Sequence, residues 1–73
     1  GISLSPIPTQ KDLEITIDDF TGPVGYQLLS VSGRVLDTGI LRSNSTLLDV
    51  RYYSSGMYLL RLEDGRTIKW IKE

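Results

Sequence analysis

The chain contains no cysteine and no histidine. Without cysteine there is no disulfide framework, no thiolate nucleophile and no thiolate-bound zinc. Without histidine the commonest general base, the commonest metal ligand and every triad built on imidazole are excluded. Apolar runs are short, far below the ~20 residues that a helical bilayer span needs, and no signal-peptide pattern is visible. Neither charge sign dominates: 8 Lys and Arg stand against 9 Asp and Glu, for a net charge of −1. Charges of both signs are interspersed, so nothing points to nucleic acid through phosphate contacts.

What is present is a short chain, 73 residues without a shift in composition, read as one small domain over 1–73. It reads as a piece cut from a longer protein. A domain of this size buries a small fraction of its surface, so nearly every apolar side chain must find the core. Little is left to wall a deep pocket.

Turn formers punctuate the chain: Pro6 and Pro8, Thr21-Gly22-Pro23, Ser32-Gly33, Gly39, Arg42 to Ser45, Ser54 to Gly56, and Asp64-Gly65. They recur about every 8–12 residues, the rhythm of a small β-sandwich or barrel. Between them lie seven extended runs: 2–4, 12–17, 24–31, 34–38, 46–50, 57–63 and 66–72. The second is the plainest, with Leu13, Ile15 and Ile17 alternating against Asp12, Glu14 and Thr16. In the third, Tyr26 and Leu28 share one register and Leu29 and Val31 the other, which a bulge or burial on both faces would explain.

Asp64-Gly65 predicts a two-residue type I′ hairpin flanked by Glu63 and Arg66. No window keeps an i, i+3, i+4 apolar stripe for three turns, so no substantial helix is expected, only an irregular turn over 51–55. The expected architecture is an all-β, immunoglobulin-like sandwich of about seven antiparallel strands with Greek-key connections. Its expected core is Leu13, Ile15, Ile17, Tyr26, Leu28, Val31, Val35, Leu48, Val50, Tyr58, Leu60, Leu62, Ile68 and Trp70.

Three groups of side chains have the residue types of a functional site. Tyr52, Tyr53 and Trp70 contain the rings of a sugar-stacking platform, but adjacent strand residues face opposite ways, so packing is the better reading. Asp18-Asp19 lacks the Gly-centred loop and third carboxylate of a calcium site. Asp37, Asp49 and Glu63 have nothing to mark them as an acid–base pair. No enzyme, cofactor or metal is expected.

Four stretches resemble one known family in order and spacing. Leu4-Ser5-Pro6-Ile7-Pro8-Thr9 leads into Asp12 to Ile17, like the family's Pro-Asn-Pro start and first apolar strand, with Ile7 in the place of Asn. Tyr26 to Val35 resembles its apolar strand running into a Gly-Arg turn at Gly33-Arg34, with Ser30 where Asp or Asn is common. Leu48-Asp49-Val50 followed by Ser55-Gly56-Met57-Tyr58 resembles its Ser-Gly-x-Tyr segment, and Thr67 to Lys72 its Lys-rich terminal strand. The family is the C-terminal sorting domain of the type IX secretion system (type A, Por secretion family).

The resemblance implies a non-enzymatic, folded address label at the end of a longer protein. It would be read in the periplasm by an outer-membrane translocon, which delivers the protein to the cell surface or medium of a Gram-negative bacterium. Surface sorting and attachment machinery would be its other partners. Lys69, Ile71, Lys72 and Glu73 are the candidate recognition residues, since an accessible terminal strand can be captured by strand addition. Pro6, Pro8, Gly33, Gly56 and Tyr58 match the family's motifs in structural roles. A retained anchoring domain of the surface machinery and a carbohydrate-binding sandwich are the alternatives.

Overall fold

The computed structural model describes all 73 residues, as seven β-strands without a helix. The strands are β1 (Ile2–Ser5), β2 (Asp12–Ile17), β3 (Val24–Ser30), β4 (Val35–Leu41), β5 (Ser45–Asp49), β6 (Gly56–Leu62) and β7 (Thr67–Lys72). They form a three-stranded sheet, β1-β2-β5, and a four-stranded sheet, β4-β3-β6-β7. All strand pairs are antiparallel. β5 crosses back to pair with β2 while β3 takes β6 as its second neighbour, the interlocked order of an immunoglobulin-like sandwich.

Alternation along β2 drives the closure. Leu13, Ile15 and Ile17 are all buried, and they meet Leu28, Leu41, Leu60, Leu62, Val50 and Trp70 in one cluster. Tyr26, Leu48 and Tyr58 pack at its margin, and Ile68 is half-buried. Two expected core residues are not in it: Val31 is 65% exposed and Val35 46%. Val31 lies in the turn after β3, and Val35 pairs with Leu29, whose side chain lies on the sheet's outer face. Leu41 fills the core instead.

Leu41 is available because β4 does not stop at Thr38. It runs straight through Gly39. A Cβ at Gly39 would lie 2.6 Å from the Tyr26 ring, so this glycine leaves room for the tyrosine opposite it and makes no turn. Of the two readings of the third run, burial on both faces holds and a bulge in β3 does not: β3 pairs with β6 without a break, and the extra residue, Leu36, lies on β4. The β3–β4 register shifts between Leu28 and Leu29, and these two residues are buried on opposite faces.

The β6–β7 hairpin is one residue longer than a type I′ turn allows. Leu62 and Arg66 close it, with Leu62 N–H donating to Arg66 O at 2.8 Å and Gly65 N–H to Leu62 O at 2.9 Å. Only Gly65 has positive φ, +100°, which identifies a three-residue loop with glycine in the left-handed position. Asp64 instead accepts the Arg66 N–H at 3.1 Å, a local bond that holds it in the ordinary region. The β3–β4 hairpin repeats the arrangement: Ser30 and Arg34 close it and Gly33 has φ +93°. The stretch 51–55 is an irregular turn, as expected.

The sandwich sorts charges that the sequence intersperses. The strands of the first sheet carry Asp12, Glu14 and Asp49 and no cation. Those of the second carry Arg61, Lys69 and Lys72 and one carboxylate, Asp37.

Candidate functional site

The candidate recognition residues lie on β7, an edge strand of the four-stranded sheet. Inward positions are Trp70, fully buried, and Lys72, only 7% exposed; Lys69 and Ile71 are exposed on the opposite face. Lys72 therefore does not belong to the accessible surface on which it was expected. Its Nζ turns toward the chain end and donates to Glu73 O at 3.3 Å. The two lysines, three residues apart, lie on opposite faces because strand side chains alternate.

The free edge of β7 is occupied at its end. Thr9 N–H donates to Ile71 O at 2.9 Å, and Glu73 N–H donates to Thr9 O at 2.8 Å, a short parallel bridge. Gln10 Nε2 adds a bond to Glu73 Oε1 at 3.3 Å. Thr9 is 1% exposed, and its hydroxyl donates to Asp12 O. The Pro6–Thr9 segment thus leaves the first sheet after β1, clasps the second at its last residues, and returns to β2. Each such backbone bond contributes about 1 kcal/mol net. Nothing in the local sequence marks Thr9 for this role, because its partners are more than sixty positions away. Alternation of bonding directions leaves the outward backbone groups of Thr67 and Lys69 without a strand partner.

The motif residues gather at the same end of this sheet. Gly56, with φ +153°, pairs with Lys72, and Tyr58 pairs with both Trp70 and Ser30. Gly33 closes the β3–β4 turn beyond Ser30. Pro6 and Pro8 frame the approach to Thr9. The Tyr58 ring stacks on Trp70 at 4.9 Å between centroids, Tyr53 lies 5.4 Å from Tyr58 and 6.1 Å from Trp70, and the Tyr58 hydroxyl donates to Ser54 O at 2.6 Å. This aromatic column anchors the 51–55 turn to the last strand. Burial, with Asp37 nearby, pushes the Tyr53 phenol above its usual pKa.

The other candidate groups are not brought together. Trp70 has no exposed face for a sugar, and Tyr52, 87% exposed, lies apart from Tyr53 under the Arg51 guanidinium at 5.6 Å. Asp49 is held by Arg51 at 2.8 Å, a pairing that lowers its pKa. Glu63 Oε1 accepts the Gly25 N–H at 2.9 Å, while Asp37 sits on β4. Asp18 faces the Gly1 amino group. Arg66 lies 3.1 Å from Asp19 and 2.9 Å from Asp64, and its hydrogen bonds lower the pKa of both.

A profile of the family described as "Secretion system C-terminal sorting domain" matches residues 3–73. No curated protein and no solved structure matches the chain significantly.

Proposed function

The chain belongs to the type IX secretion C-terminal sorting domain family, and from that premise we propose that it acts as a folded label at the C-terminus of a longer protein. The family is one of sorting signals and not of enzymes, and it serves export to the surface or medium of Gram-negative cells. The finer reading is that the label folds in the periplasm and that an outer-membrane translocon recognises the finished sandwich through its last strand. Lys69 and Ile71 would make the contacts; Lys72 and Glu73 would hold the strand end in place.

One observation carries this reading: β7 is clasped at Ile71 and Glu73 by a segment from the other end of the sandwich's chain. A label read as an unstructured peptide has no use for such a clasp, whereas one read as a surface needs its last strand fixed.

The test is to fuse residues 1–73 to an inert periplasmic passenger. In a type IX-competent cell the passenger should reach the surface or medium, and in an isogenic strain lacking the system it should stay periplasmic. A passenger that remains periplasmic in both strains refutes the proposal. The C-terminal mass of exported passenger reports whether the label is removed or retained.

A further inference from the structure

One end of the outer face of the four-stranded sheet is apolar where a solvated face should be polar; the row beside it is polar, with Gln27, Thr38, Arg61 and Thr67. By strand alternation this face presents Val35, Leu29, Met57, Leu59 and Ile71, with Ile40 at the β4 end. Val35, Met57, Ile71 and Ile40 are 43–53% exposed. Leu29 is only 2% exposed yet lies outside the core cluster. Its cross-strand neighbours Val35 and Leu59 flank it, so this face has a small apolar layer of its own. Contiguous apolar surface on a small domain marks an interaction site.

The charges on this face point to its partner. Its strands contribute Arg61 and Lys69; the carboxylate that lies on this face, Glu63 just past β6, is tied to the Gly25 N–H, and neither cation is in an ion pair. Arg61 is instead held extended by Gln27 Oε1, at 3.1 Å from Nε and 2.6 Å from Nη2. Elsewhere Arg51 and the half-buried Arg66 are paired with aspartates, while Lys11, Arg34 and Arg42 form no ion pair but lie in turns and loops, off this face's strands. The opposite sheet presents Asp12, Glu14 and Asp49 around one apolar residue, Leu47. A second copy would have to lay that polar face on this apolar one, or bring like charges together. An anionic lipid surface gains little from two cations on a domain of net charge −1.

We propose that this face docks onto a protein surface of the secretion machinery that carries apolar side chains among carboxylates. The inference rests on the sorting-signal reading and extends it: the recognised surface spans the width of the sheet, from Val35 to Ile71, and is not confined to the terminal strand. Apolar contact supplies affinity, and the two cations supply orientation and a salt-dependent association rate.

The experiment uses the labelled passenger fusion and outer-membrane vesicles from a type IX-competent strain and from an isogenic strain lacking the system. Met57→Glu with Ile71→Glu, and separately Arg61→Glu with Lys69→Glu, should weaken binding to competent vesicles at least tenfold. Leu47→Glu on the other sheet should leave it within twofold, and added salt should weaken the wild type. Circular dichroism and thermal melting restrict the comparison to folded variants, and Met57→Ser with Ile71→Ser replaces the glutamate pair if that pair unfolds. Folded face variants that bind like wild type overturn the inference, as do equal binding to both vesicle types, which means lipid, and concentration-dependent self-association abolished by the same substitutions. Wild type that binds neither vesicle type also overturns it; export of the same fusion in cells then shows that the sorting-signal reading survives on its own.

Discussion

The two sheets share one core but behave differently toward solvent. The three-stranded sheet is one-sided: β2 alternates strictly, and its outer positions are Asp, Glu and Thr. The four-stranded sheet is two-sided. Its central strand β3 buries Leu28 inward and Leu29 outward, and one end of its outer face is apolar, beside two cations outside any ion pair. A small domain has few apolar residues to spare, so placing several outside the core costs stability that the first sheet retains. On the docking proposal, the first sheet is the support and the second the surface that meets the partner.

The sharpest way to break that comparison is to attack the shared core. Trp70→Ala removes the ring on which Tyr58 stacks and around which Tyr53 packs, and should cost about 3–5 kcal/mol, enough to leave much of so small a domain unfolded. Denaturant melts measure it. Next comes the matched pair across the sandwich. Leu29→Ala should cost about 2–3 kcal/mol, because its outer-face site is buried, whereas Leu47→Ala should stay within about 0.5 kcal/mol. Equal costs would mean that the second sheet has no apolar layer of its own. Gly39→Ala should cost about 1–3 kcal/mol by forcing the Tyr26 ring aside; a neutral result would mean that the ring shifts freely.

The smallest effect is electrostatic and lies at the loops. Asp19 and Asp64, paired with Arg66, and Asp49, paired with Arg51, have folded-state pKa values below their unfolded ones. Their contribution is therefore present above the unfolded carboxylate pKa and is lost as pH falls below about 4 and through the folded values. The pairs are solvent-exposed, so the loss should be slight and should shrink in salt. Arg66→Gln should flatten the acid limb of the melting-temperature profile, and an unchanged limb would remove these pairs from the account.

Local patterns made much of this fold legible. The alternation at Leu13, Ile15 and Ile17 gave the inner face of β2, and the spacing of turn formers gave the strand count. Where the reading failed, the deciding partner was distant or conformational. Gly39 resembled a break because its reason, the Tyr26 ring, lies on another strand. Asp64-Gly65 marked the hairpin but not its loop length, which depended on Asp64 bonding to Arg66 N–H and keeping negative φ. Thr9 carried no local signal for its bridge to Lys72 and Glu73. Lys69 and Lys72 looked alike until alternation put one outside and the other in. The segregation of charge between sheets was invisible until strand order was known.

The central claim is that the label is read as a folded surface and not as a peptide, and its most direct test is export measured against label stability. Passenger fusions bearing wild type, Gly39→Ala, Trp70→Phe and Trp70→Ala labels would be ranked by fraction folded at the growth temperature, then by the fraction of passenger reaching the surface. Surface delivery should fall in step with the folded fraction, with Trp70→Ala the lowest. Full delivery by a label that is mostly unfolded would contradict the claim.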